Sequence, residues 1–104
     1  MALPPLTAEQ RAAALEKAAA ARRTRAELRE QLKQSKISLA EVFAAGERDE
    51  AIGKMRVSAV LESMPGVGKV RAERIMERLS ISTSRRVRGL GAHQRSALER
   101  EFAD

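Results

Sequence analysis

The residues in this chain best placed to do chemistry are arginines beside glycines. Arg85-Arg86-Val87-Arg88 runs straight into Gly89-Leu90-Gly91, and Ser82, Ser84 and Gln94 flank that run with hydroxyl and amide groups. A second glycine pair lies earlier, in Pro65-Gly66-Val67-Gly68-Lys69-Val70-Arg71. In both places a Gly-hydrophobic-Gly step precedes residues able to start a helix. The first amides of a helix have no partner within it, point outward, and suit an anion. Lys69 and Arg71 stand beside the first set, and Arg85, Arg86 and Arg88 beside the second. An arginine fork can bridge two phosphate oxygens and can enter a narrow minor groove. The chemistry predicted is capture of nucleic-acid phosphates without reading a base. The plainer readings are a Pro-Gly turn that only connects two helices and an arginine run that only faces water.

Helices must hold both corners. Leu61, Met64, Val67, Ala72, Ile75, Met76 and Leu79 fall at spacings that give two helices one apolar side, the first ending near Ser63 and the second running to Leu79. Pro65 stops the first, because the residue before a proline is pushed out of the α region. Gly66 and Gly68 allow a tight turn and close approach. Such a pair is what a helix-hairpin-helix motif needs. After the second corner, Leu90, Ala97, Leu98 and Phe102 make the apolar set of a helix from about Ala92 to Phe102. Between the corners, Ser80–Ser84 holds polar residues of the kind that cap helices.

Upstream, residues 1–6 read as a flexible tail. Thr7 with Gln10 forms a capping box, and no Gly or Pro interrupts Ala8–Ser35, so one long helix follows. Its apolar face is thin, with Leu15, then alanines until Leu28 and Leu32. The first half should project from the domain and Leu28 and Leu32 should dock onto it. Arg11, Lys17, Arg22, Arg23, Arg25 and Arg29 charge this arm, as a nucleic-acid contact or as a solvated face. Ser38 with Glu41 opens a short helix burying Leu39, Val42 and Phe43, with Gly46 as its stop, and a further turn or short helix over Glu47–Ile52 closes at Gly53. The domain division is therefore 1–36, tail and long basic helix, and 37–104, a compact helical domain. The middle section carries Glu41, Glu47, Asp49 and Glu50 against Arg48 alone, and should face away from a polyanion.

The chain has 104 residues, enough for one domain, and its net charge of +6 suits a polyanionic partner. It contains no Cys, which excludes disulfides and thiolate chemistry. No apolar run approaches the ~20 residues of a membrane span, and Pro4 and Pro5 stand where a signal peptide would begin, so a soluble intracellular protein is expected. Aromatic residues make up only 2% of the chain, which argues against binding modules that stack bases on aromatic rings. No enzyme is expected: the only aspartates, Asp49 and Asp104, do not lie a short distance beyond the hairpin, and Glu73 and Glu77 alternate with Arg74 and Arg78 as surface pairs do. His93 is the only histidine, without Cys or an acidic cluster for a metal site. No cofactor is expected either.

Leu3–Thr7, Glu9–Arg23, Gly53–Met55, Val57-Ser58, Val67–Lys69 and Arg85–Gly91 closely resemble the actinobacterial integration host factor family, over nearly the whole chain. The resemblance implies an all-α fold with a long N-terminal helix followed by a small helical domain carrying a helix-two-turns-helix motif. It implies a nucleoid-associated protein in the cytoplasm that binds double-stranded DNA with little sequence preference and alters its bending or supercoiling. The family's principal DNA-contacting motif falls on Ser82–Gln94, which points to Ser82, Ser84, Arg85, Arg86, Arg88, Gly89, Gly91 and Gln94. A second contacting segment, a lid, falls on Met64–Arg71, which points to Pro65, Gly66, Val67, Gly68, Lys69, Val70 and Arg71. Support of chromosome organisation, recombination and gene regulation goes with that role, and a monomer is expected. The alternative is an RNA-binding or ribosome-associated protein of the same fold class; an adaptor using the Ala-rich helix for protein contacts is a third.

Overall fold

The computed structural model describes residues 4–103. In chain order they form α1 (Ala8–Lys33), α2 (Leu39–Arg48), α3 (Glu50–Gly53), α4 (Val57–Glu62), α5 (Lys69–Arg78), a 3-10 turn (Val87–Gly89) and α6 (Ala92–Glu101). The described residues contain no β-strand, and the expected all-α architecture with a long first helix is observed. The tail expected over residues 1–6 lies partly outside the described residues.

Both expected capping boxes are present. Thr7 Oγ1 accepts the Gln10 N–H at 3.0 Å and Gln10 Oε1 accepts the Thr7 N–H at 3.0 Å. Ser38 and Glu41 repeat the exchange at 3.2 and 3.1 Å, which opens α2. Along the 26 residues of α1 only Leu28 and Leu32 are buried, while Leu15 is 64% exposed. Half of this helix therefore projects. The radius of gyration, 16.0 Å, exceeds the ~13 Å of a compact domain of about 100 residues for that reason.

Leu32, Val42, Val57, Val60, Leu61, Met76 and Leu98 are the largest fully buried side chains, drawn from α1, α2, α4, α5 and α6. Each such burial stabilises by roughly 1.5–3 kcal/mol. Leu28 and Leu32 belong to this one core, so the end of α1 is pinned to the body.

Three expectations need correction. Gly46 does not stop α2, which runs on to Arg48. It is buried inside the helix, where a Cβ would lie 2.8 Å from Val87 Cγ1, and a Cβ on Gly53 would lie 2.6 Å from the Gly46 carbonyl oxygen. The two glycines bring α2, α3 and the 3-10 turn into contact. The stop falls to Asp49, whose Oδ1 accepts the Ala51 N–H at 2.8 Å and opens α3.

Ser80 closes α5 just past its C-cap, Leu79, with its N–H on Glu77 O at 3.1 Å and the Ile81 N–H on Met76 O at 2.8 Å, but residues 82–84 cap no helix. Ser80 reverses the chain with φ 58°, Ile81 is buried, and extended pairing takes over: Val57 N–H donates to Arg85 O at 3.0 Å and Val87 N–H to Met55 O at 2.9 Å. The pairing is an isolated antiparallel bridge between Arg56 and Arg86. Finally, the acidic middle section is not set apart from the second corner, because α2 and α3 pack against the 3-10 turn that carries Arg88. Its four carboxylates are engaged internally. Glu41 and Asp49 cap helices, Glu47 pairs with Arg95, and Glu50 pairs with Lys54.

Candidate nucleic-acid interface

The first corner is a strained turn followed by an open helix start. Gly66 has φ 74°, a conformation side chains rarely adopt, and its carbonyl accepts a bond from Arg71 Nη1 at 3.3 Å. Val67 is buried, with its N–H on Met64 O at 3.1 Å, and this anchors the turn. Gly68 is the N-cap of α5 in ordinary extended geometry, without a side-chain cap. The first bond into the helix is Ala72 N–H to Gly68 O at 3.0 Å. The N–H groups of Lys69, Val70 and Arg71 consequently have no acceptor among the described residues. A Cβ on Gly68 would meet nothing within 4 Å, so space lies directly over these amides. Pro65, Gly66, Lys69, Val70 and Arg71 are exposed around it.

The second corner reaches a similar end by a different route. Gly89 sits in a 3-10 turn rather than at positive φ, so the repeat of the Gly-x-Gly step does not extend to the first glycine's conformation. The shared part is the remainder: Leu90, like Val67, packs inward, and Gly91, like Gly68, caps a helix in extended geometry. Gln94 Oε1 accepts the Gly91 N–H at 3.1 Å while its Nε2 donates to Ser80 O at 3.2 Å, which ties the corner to the exit of α5. The first bond into α6 is Arg95 N–H to Gly91 O, leaving the amides of Ala92, His93 and Gln94 open.

Ser82, Ser84, Arg85, Arg86, Arg88, Gly89 and Gly91 are all exposed. Arg85 Nη1 donates to Gly89 O at 3.1 Å and Arg86 Nη1 to Lys54 O, while Arg88 lies against Gly53. None of the three pairs with a carboxylate; the ion pairs among the described residues are Lys54–Glu50, Arg78–Glu101 and Arg95–Glu47. A guanidinium has five N–H donors, so one bond to a neutral carbonyl leaves most donors and the whole charge available.

Two predicted site residues are used otherwise. Val67 is only 5% exposed, so it can offer backbone but not side chain. The amide of Gln94 is engaged at both ends within the fold. Conversely, the fold gathers cations that sequence spacing did not reveal. Arg25 and Arg29 of α1, with Lys54 and Arg56, line a groove of about 390 Å³ that also contains Arg86. The Arg56–Arg86 bridge creates it, and no local pattern signals a contact between residues so far apart in sequence.

The arginine at position 95 is a brace rather than a free cation. It lies 5.5 Å from the Phe43 ring centroid and bonds Glu47 at 2.7 Å, tying α6 to α2. The Arg95 bond and charge hold the Glu47 carboxyl below its ordinary value of 4.5, and Lys54 does the same for Glu50.

Paired glycine-capped helix starts with arginines between them define a small all-helical protein of the helix-two-turns-helix class. The family model for the S13-like H2TH domain matches residues 32–102. A protein named integration host factor from Streptomyces coelicolor is 71% identical over 102 residues, 98% of this chain and 95% of that one. Its namesake from Mycobacterium tuberculosis is 60% identical over 98% of this chain and 97% of its own length. A solved structure of sIHF bound to an 8-bp palindromic DNA superposes with TM-score 0.82 at 66% identity, covering 85% of this chain and 99% of that one. The chain belongs to the actinobacterial integration host factor family, built on an S13-like H2TH domain.

Proposed function

We propose that this protein is a nucleoid-associated DNA-binding protein that grips double-stranded DNA at two points. Amides after Gly68 and Gly91 take backbone phosphates, Lys69, Arg71, Arg85, Arg86 and Arg88 add charge, and the arginines reach the minor groove. Base identity plays little part, since phosphate contacts position a protein without specifying sequence. The observation that carries this reading is the state of the second corner: three exposed arginines without carboxylate partners beside a helix start whose first amides have no side-chain partner. The DNA-bound relative supports duplex DNA as the partner.

Engagement of both corners on different stretches of backbone favours a bent duplex or altered supercoiling. Bending costs of order 1–6 kcal/mol over a few tens of base pairs, offset by the added contacts. Chromosome organisation, recombination and gene regulation follow as the cellular roles, with the protein a cytoplasmic monomer at the nucleoid that catalyses no reaction. Replacing Arg85, Arg86 and Arg88 by Ala tests the reading in a gel-shift titration. Binding should weaken similarly on unrelated duplexes, whereas loss confined to one sequence means base readout and contradicts it. The S13-like character of the domain favours one second reading, structured RNA as ligand. Competition between duplex DNA and folded RNA at matched salt separates the two.

A further inference from the structure

His93 is the one histidine of the chain, and it stands second in α6, at the second corner. Its side chain is exposed and forms no ion pair among the described residues. Its backbone N–H is one of the three open amides that follow Gly91. One turn further along the same face lie Ser96 and Ala97, so α6 sets no carboxylate beside it. A positive side chain at a helix start works against the macrodipole, and structural cations sit at the other end. The fold therefore has no use for a charged His93, whereas an anion resting on those amides does.

The neighbouring elements bring it no acid partner either. Helix α2, packed on α6, carries Glu41, Glu47 and Arg48; Glu41 caps α2 and Glu47 holds Arg95. The exit of α5, tied to α6 through Gln94, carries Glu77 and Arg78, and Arg78 holds Glu101. On α6 itself Glu99 lies six residues further on, about 120° away around the axis, with Arg100 next to it in sequence. The second corner adds Arg85, Arg86 and Arg88, none paired with a carboxylate.

We infer that His93 is a further phosphate-contacting residue of the second corner, and that its protonation makes DNA affinity rise as pH falls. This rests on the DNA-binding reading above and deepens it. A neutral imidazole donates one N–H; an imidazolium donates two and adds a full charge to a phosphate seated on the amides of Ala92, His93 and Gln94. The phosphate favours the protonated form, so the contribution is present in acid and is lost as pH rises through the imidazole titration. No other side-chain type in the chain ordinarily changes charge between about pH 5.5 and about pH 8, since Cys and Tyr are absent and carboxyls titrate lower. Glu47 and Glu50 are held below their ordinary value, further from that range.

The test compares the wild type, His93→Gln and His93→Lys by fluorescence anisotropy on a random-sequence duplex of about 10 base pairs, at matched ionic strength from about pH 5.5 to about pH 8. Wild-type affinity should rise roughly two- to fivefold toward acid, the scale of one exposed ion pair. Its log–log salt slope should steepen there by about 0.9, one phosphate contact. The Gln variant should match the wild type at the alkaline end and stay flat. The Lys variant should hold the acid wild-type affinity over the whole range. Thermal melting at the alkaline end checks that both variants fold. A flat wild-type profile overturns the inference. An equal acid gain in the Gln variant also overturns it, because the proton is then taken up elsewhere, and so does a Lys variant that binds no tighter than the wild type at the alkaline end. Failure of the wild type to bind the duplex at any pH sinks the underlying DNA-binding reading instead.

Discussion

Neutral acceptors for Arg85 and Arg86 preserve charge for a ligand: a backbone carbonyl fixes the side chain while its full positive charge still faces outward. Gly68 offers a sharper residue-scale test, because its backbone geometry is open to any residue and its surroundings are empty. Gly68→Ser should raise stability by a few tenths of a kcal/mol in chemical denaturation, the hydroxyl accepting the Val70 or Arg71 N–H as an N-cap. The same hydroxyl occupies the anion site, so DNA affinity should fall; a stability gain with affinity unchanged would show that these amides do not bind phosphate. The pH dependence belongs to Glu47. Its folded-state pKa lies below the ordinary 4.5, so its contribution is present above that value and fades as pH drops through the folded pKa. Glu47→Gln should lower the melting temperature slightly at pH 7, with the gap to wild type closing in acid. The effect is small because the pair is solvent-screened.

At the scale of elements, the corners are held by packing as much as by turn chemistry. Gly53→Ala would drive a Cβ to 2.6 Å from the Gly46 carbonyl, a contact with backbone that cannot swing aside. Overpacking of this kind costs about 1–3 kcal/mol. Thermal melting should show the loss, at roughly 4–8 °C per kcal/mol, and the 3-10 turn should loosen with it. How legible each element was in the sequence follows from the distance of its partners. Both capping boxes and the Pro65 stop were readable because their chemistry closes within three or four residues. Gly46 has the local look of a stop, but its reason for being glycine is Val87, far along the chain. Ser80 closes α5 through bonds three to five residues back, whereas residues 82–84 lead into the Arg56–Arg86 bridge, which is invisible to any local pattern. The groove of Arg25, Arg29, Lys54 and Arg56 was hidden for that reason too.

At the scale of the whole molecule, charge is organised by use more than by segment. The acidic middle section reads as a repelled back in sequence, yet its carboxylates cap helices and pair with Arg95 and Lys54. Arg85, Arg86 and Arg88 at the second corner, and Lys69 and Arg71 at the first, keep no carboxylate partner. The most direct measurement is the salt dependence of wild-type binding to two unrelated duplexes of about 10 base pairs. About five phosphate contacts at the two corners predict equal affinities and a log–log slope near −4 to −5 on both. A slope near zero, or strong binding to only one of the two sequences, would contradict the account.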